Sequence, residues 1–438
     1  MEGVYFIEKL ESYSTQKLLN RGTISEEVKN RVAAIVADVK ERKLTAILEY
    51  TAKFDGVVLA RDNIKVTQAE IAAAYSQLTE NQLAAIREAI SRVRKFYSKQ
   101  KVGIKDTLLK SEEGTTQLRW LPIKRAGIYA PAGKAPLPSS VLMAILPAKI
   151  AGVEEFILCS PPQKDDNVNP AILVTANECG ITDIYKIGGV QAIAAMAYGC
   201  ELFDKVDIIS GPGNVYVSYA KQLVAAEGIV KIDTIAGPSE VVIIADETGD
   251  AEIIASDMLA QAEHGTNSSS ILITTSEKLA DEVKYEVELQ LKDLPNNETA
   301  TASLQNFGAL LVAKDSREAL SFVNSFAPEH VEIFTEDAEQ LSQSIVNAGA
   351  VFIRTGEVFG DYGMTGSNHI LPTGGAARFS SGVSVYTFMK YQMVEELSKK
   401  EQVKIASITA EFARLEKLEA HACSAEKRKA NRGENYDR

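Results

Sequence analysis

From Gln117 to Ile353 the chain alternates short apolar runs with amphipathic stretches, and this alternation constrains its fold more than any other feature. Glu155-Phe-Ile-Leu-Cys159, Asp183-Ile-Tyr-Lys-Ile187 and Val206-Asp-Ile-Ile-Ser210 read as strands, with Gln191 to Tyr198 as an intervening helix. A second series follows at Glu240 to Ile244, Ser270 to Thr274, Gly308 to Val312, His330 to Phe334 and Gly349 to Ile353. Strands recurring between helices of about 10 to 15 residues indicate βαβ units and parallel sheets. Two such series predict two α/β sheets. The flanking sequence is helical in pattern. Thr23 and Glu26 read as a capping box ahead of Val28, Val32, Ile35, Val36 and Val39, and Thr67 with Glu70 repeats the device. A third helix is expected from roughly Asn81 to Tyr97. From about Val383 the pattern turns helical again, with Glu416 and His421 on one helix.

At 438 residues the chain is too long for one ordinary core, so two or more domains are expected. A net charge of −12 leaves no electrostatic footprint for nucleic acid or an acidic membrane. Cys159, Cys179, Cys200 and Cys423 form no CxxC pair, and cysteines in apolar patterns pack as small hydrophobes. Met1 to Leu19 lacks a signal-peptide core, and no apolar run nears the ~20 residues that span a bilayer. A cytoplasmic location is the expectation, with a frayed tail from Glu426 to Arg438.

The chemistry concentrates around four histidines: His264, His330, His369 and His421. Ser210-Gly-Pro-Gly-Asn214 joins a strand to a helix start near Val215, where glycines allow a phosphate or ring to approach the helix N-terminus. Asp233 follows at the spacing of a ribose-binding acid, although Tyr216 replaces the third glycine of the full fingerprint, and a merely tight turn accounts for the segment as well. Tyr129 to Ser139 and Gly237-Pro-Ser-Glu240 are turn-rich and read either as rigid loops or as ligand lids. Gln261-Ala-Glu-His264 ends a helix whose apolar stripe includes Ile253, Ile254 and Leu259. Gln261 and His264 are three apart and share a face, so they can converge on one ion; a polar helix end is the alternative. Glu329-His330, after Pro328, pairs two acid/base groups at the start of a strand. Consecutive strand residues face opposite ways, so both serve one site only if the backbone is irregular there. The glycine-punctuated loop from Phe359 to His369 carries Asp361, a hard, charge-balancing metal ligand by type. No HExxH, Walker loop, GxSxG elbow or zinc-ribbon spacing occurs.

Together, Tyr129 to Val153, Gly188 to Tyr198, Gly211 to Asn214, Ala236 to Asp246, Leu259 to Gly265, Ala327 to Ile333 and Gly360 to Phe379 resemble the histidinol dehydrogenase family. The resemblance runs from Arg21 to about His421. It implies two Rossmann-like parallel-sheet domains with helical N- and C-terminal extensions, in an intertwined homodimer. The implied division is an extension at 1–21, a first α/β domain at 22–128 plus 241–382, an NAD-binding domain at 129–240, and a dimerisation extension at 383–438. By the same resemblance Gln261, His264, Asp361 and His421 match zinc ligands, and Glu329 and His330 match the proton-transfer pair. Tyr129, Gln191 and Asn214 match NAD contacts. Ser239, His330 and Glu416 match substrate contacts, beside the metal ligands, with Glu416 and His421 completing the partner's site. His369 is expected close behind the site or facing the substrate.

What the resemblance implies is zinc-dependent oxidation of L-histidinol to L-histidine through a bound aldehyde, reducing two NAD, at the end of histidine biosynthesis. The loop from Asp361 to His369, the segment Pro131-Ala-Gly133, and Gly382 depart from the family's usual pattern. A related zinc/NAD dehydrogenase of another small polar alcohol is therefore the alternative. A metal-dependent hydrolase using Glu329, or a two-lobed binding protein, are readings from other classes, separated from the first by NAD binding and by the effect of replacing Glu329 or His330.

Overall fold

The computed structural model describes residues 7–13, 18, 20–132, 136–235, 237–295 and 297–429. They group into two compact units, Met1–Lys101 with Ile123–Phe388 and Val102–Pro122 with Met389–Arg438.

The strands in chain order are β1 (Ile7–Lys9), β2 (Thr107–Lys110), β3 (Gly114–Pro122), β4 (Arg125–Tyr129), β5 (Glu155–Ser160), β6 (Ile184–Lys186) and β7 (Ile208–Ser210). They continue with β8 (Lys231–Ile232), β9 (Glu240–Ala245), β10 (Ser269–Thr274), β11 (Ala309–Val312), β12 (His330–Phe334), β13 (Ala350–Ile353) and β14 (Met389–Leu397). The first unit holds two parallel sheets, ordered β6-β5-β4-β7-β8 and β1-β11-β10-β9-β12-β13. Counted from β4, the first order runs third, second, first, fourth, fifth, the arrangement of a mononucleotide-binding half. The second sheet repeats that order from β9, with β1 added at its edge.

These strands form because their side chains can be buried on both faces. Every residue of β9 and β10 is buried, which is why each reads as a continuous apolar run rather than an alternating one. Helix Gly189–Tyr198 lies close on β4. A Cβ at Gly127 would come within 2.6 Å of the Met196 sulfur, so the bare glycine permits the approach. Ile128, Leu158, Ile193 and Ile209 are sealed from water, each burial contributing about 1.5–3 kcal/mol before entropy is counted.

Several local readings change. Ser25, not Thr23, caps helix Glu26–Arg42 by accepting from the Val28 N–H, whereas Thr67 and Glu70 do form the expected capping box. The third helix is longer than expected, Glu80–Gly103. Ile253 lies on the exposed side of helix Ala251–Ala262, whose apolar face is Ile254, Ala255, Met258 and Leu259.

In the second unit, β14 pairs antiparallel with β3 over nine residues, from Met389↔Pro122 to Leu397↔Gly114, and β2 completes the sheet. The stretch after Val383 is therefore not helical throughout. Its two helices, Lys399–Leu415 and Glu419–Lys429, meet through Ala410, Ala422 and Ala425. Lys417, at φ +60°, breaks the chain between them, so Glu416 caps the first helix and His421 belongs to the next. The expected frayed tail is helical to Lys429; the remainder lies outside the described residues. Among the described residues, no helix is long and apolar enough to cross a membrane.

Candidate active site

The amino ends of β9 and β12 are neighbours, with His330 opposite Val241 in register, and most of the predicted acid/base and ligand residues of the first unit collect there. Ala327 ends helix Ser316–Phe326 in the left-handed conformation at φ +54°, and Pro328 follows. This is the backbone irregularity that neighbouring acid/base residues require. Glu329 stays outside the strand while His330 begins it, and Glu329 Oε2 comes to 4.0 Å from His330 Nδ1. Both side chains are buried.

A lattice of carboxylates holds the pair. Glu329 and Glu240, the first residue of β9, exchange hydrogen bonds: Glu240 N donates to Glu329 Oε2 at 3.1 Å and Glu329 N donates to Glu240 Oε2 at 3.2 Å. Arg21 closes the back of this pair through a fully buried ion pair to Glu240 Oε1, while its Nε donates to Leu18 O. Glu357 Oε2 lies 3.0 Å from His330 Nδ1, and Asp361 Oδ1 lies 3.7 Å from Nε2. Neither ring nitrogen has an aligned hydrogen bond among the described residues. Burial opposes charging the ring, but the Glu357, Glu329 and Asp361 carboxylates outweigh it and push His330 up to about 10. Burial pushes Glu329 up to about 8 against the pull of His330.

Behind them, Glu332 shares the His330 face of β12, two residues on, and accepts the Glu357 N–H at 2.6 Å. Glu332, Asp257 and Glu357 are all pushed up, mainly by burial, Asp257 to about 6. Arg21, Glu240, Glu332 and Glu357 were not singled out from the sequence for these roles. Only Glu357 carried a usable signal, four residues before Asp361 and hence one helical turn away.

The ligand-type residues divide. His264 is half-exposed, and its Nε2 lies 3.8 Å from Asp361 Oδ2, a gap that two donors ~2.0–2.2 Å from one ion span at a wide angle. Gln261 is fully buried. With its amide turned to satisfy both ends, it donates to Glu357 at 2.7 and 3.1 Å and accepts from Glu240 N at 3.1 Å. No group of three His, Cys, Asp or Glu capable of holding a metal occurs among the described residues. His264 and Asp361 thus fit part of a coordination sphere rather than a closed one. His369 is half-buried, with Nδ1 2.6 Å from Asp361 O and Nε2 3.0 Å from Ser140 Oγ, so it ties the Asp361 loop to helix Pro138–Ala151. Ser239 precedes β9 at the same end. Glu416 and His421 are exposed residues of the second unit.

The other sheet presents its carboxyl ends. Tyr129 ends β4 and accepts the Gly189 N–H at 3.1 Å on its hydroxyl. Gly211, at φ +128°, follows β7 so closely that a Cβ would fall 2.1 Å from Tyr129 O. Asn214 caps helix Val215–Ala226 through Oδ1, accepting from Tyr216 N and Val217 N. Gln191 is fully buried, and neither amide atom has a partner among the described residues. Tyr129 and Asn214 thus follow the neighbouring strands β4 and β7 at their carboxyl ends, with Gln191 two residues past the Gly189 that Tyr129 holds, and it is at this end that such sheets take nucleotides. Asp233 is otherwise engaged. It forms a buried ion pair with Lys221 and accepts from Ser210 Oγ at 2.9 Å and Gly211 N at 2.8 Å, so it braces the Gly-Pro-Gly turn instead of offering a free carboxylate. Gly133 of the Pro131-Ala-Gly133 segment lies outside the described residues.

The histidinol dehydrogenase family model matches residues 19–429. This chain belongs to the histidinol dehydrogenase family. The histidinol dehydrogenase of Halalkalibacterium halodurans is 44% identical over 414 residues, covering 94% of this chain and 96% of that one. That of Bacillus subtilis is 44% identical over 426 residues, covering 96% and 97%. The crystal structure of histidinol dehydrogenase from Elizabethkingia anophelis superposes with a TM-score of 0.89 at 38% identity, covering 98% of both chains. Membership makes the chain an NAD-dependent oxidoreductase of the histidinol dehydrogenase type.

Proposed function

We propose that this enzyme oxidises L-histidinol to L-histidine through a retained aldehyde in two NAD-linked steps, within histidine biosynthesis. The observation that carries the reading is the buried Glu329–His330 pair, enclosed by carboxylates and opening on His264 and Asp361. His330 takes the proton from the substrate alcohol; Glu329 then takes a proton from the water that adds to the aldehyde carbon, and the hydrate is oxidised in turn. When bound, NAD supplies the hydride acceptor, and zinc supplies a cation that orients the substrate imidazole and amine. His264 and Asp361, with Gln261 and His421, would hold that cation, and Ser239 and Glu416 would contact the substrate. Tyr129, Gln191 and Asn214 would hold NAD.

A homodimer with shared sites belongs to this reading. Ile408, Phe412 and Leu415 form an exposed stripe along helix Lys399–Leu415, at 73%, 64% and 80% exposure, which a protein partner would cover. The division into 129–240 and 22–128 plus 241–382 as Rossmann-like halves, with terminal extensions, is also part of the proposal, supported by the two sheets of matching strand order.

The test is NAD reduction by full-length protein with L-histidinol. Activity should fall on prolonged chelation and return with zinc. Undiminished activity in metal-free protein would remove zinc from the account, and oxidation of another small alcohol in place of histidinol would favour that substrate.

The elevated His330 value also has a sign. Its neutral form is the base, so kcat/KM should rise with pH until the ring titrates. Glu357→Gln removes the strongest of the upward influences and should move that limb to lower pH. A limb that stays in place under this substitution would show that another group limits the rate.

A further inference from the structure

The expected ribose-binding acid, Asp233, is taken up by Lys221, which leaves the nucleotide crevice without its customary carboxylate. In a mononucleotide-binding half, that carboxylate stands at the end of the second strand, beside the ribose of the adenosine moiety. Here the second strand counted from β4 is β5, which ends at Ser160 and is followed by Pro161 and Pro162, none of them acidic.

An acid reaches this position from elsewhere in the chain. Asp55 terminates helix Leu44–Phe54, its N–H returning to Thr51 O. A Cβ built on Gly188 would lie 2.6 Å from Pro161 Cβ and 3.2 Å from Asp55 Oδ1, so the carboxylate stands beside the ends of both β5 and β6. Asp55 Oδ2 is buried with no hydrogen-bond partner among the described residues, and the fully buried amide of Gln191, three residues beyond Gly188, is likewise without one there. Buried polar groups are nearly always paired in the working molecule, so two orphans flanking one glycine turn mark a place where something polar belongs. Burial pushes this carboxylate up to about 6, and its charge is felt at the Tyr129 phenol.

We infer that Asp55 is the carboxylate that accepts the hydroxyl pair of the adenosine ribose of NAD, at the open end of β5. The inference rests on the NAD reading above and extends it to a residue outside the 129–240 segment. It carries a specificity: a dinucleotide bearing a 2′-phosphate brings negative charge against Asp55, so the site takes NAD in preference to NADP.

Calorimetric titration of the full-length protein decides it. The wild type should bind NAD more tightly than either NADP or NAD lacking the adenosine 2′-hydroxyl. Asp55→Asn should weaken NAD by about tenfold or more, the loss expected for a hydrogen bond to a charged group, and should narrow the gap to NADP. Wild-type protein that binds all three dinucleotides equally overturns the inference whether or not the variant folds. So does an Asp55→Asn protein that binds NAD like the wild type. Absence of NAD binding by the wild type would instead remove the dinucleotide reading itself, and this inference with it.

Discussion

Alanine at position 330 should lower the oxidation of histidinol by about 10²- to 10⁴-fold, the span that a positioned proton-transfer group contributes. The loss should fall mainly on kcat, because in the proposed role His330, held beside Glu357 and Asp361, takes the proton of the reacting hydroxyl. Glu329→Gln keeps the shape and the hydrogen bond from Glu240 N while removing the base. It should spare the first oxidation and slow the second, so that aldehyde supplied directly becomes the poor substrate. Rapid-mixing kinetics with histidinol and with the aldehyde separate the two variants. Equal loss on both substrates in Glu329→Gln would contradict the division of roles.

The second large effect is on stability, at Arg21. Its guanidinium is buried against Glu240 with almost no exposure on either side chain. Removing one partner of a buried ion pair leaves the other uncompensated and costs about 3–5 kcal/mol. Arg21→Ala should therefore depress the denaturation midpoint sharply. Because Glu240 also receives Glu329 N and gives its own N–H to Glu329 Oε2, the variant should lose activity at temperatures where it is still folded. Combining it with Glu240→Gln, which removes the orphaned charge, should recover part of the stability. Denaturant titration of the single and double variants measures this, and a loss under ~1 kcal/mol for Arg21→Ala would place the pair among weak surface-like bridges.

The two parallel sheets were legible because strands buried on both faces need continuous apolar runs, as in Val241 to Ile244 and Ile271 to Ile273. β14 was not: its nine residues include Lys390, Gln392, Glu395 and Glu396, and its pairing with β3 joins segments far apart in sequence. Glu329 and His330 could be read as a candidate pair because they are neighbours. Glu240 and Arg21 could not, since they meet the pair only when β9, β12 and the loops are assembled, and Glu357 was marked only by its place one turn before Asp361. Asp233 had the right spacing and the wrong environment, since Lys221 on the preceding helix claims it. Glu416 and His421 were expected on one helix, and a single left-handed lysine, Lys417, separates them.

The central claim is that one site performs both oxidations without releasing the aldehyde, and counting electrons tests it most directly. A limiting amount of L-histidinol should yield about two NADH per molecule consumed, with histidine as the product, even when an aldehyde-trapping amine is present. One NADH per histidinol, with trapped aldehyde recovered from solution, would contradict it.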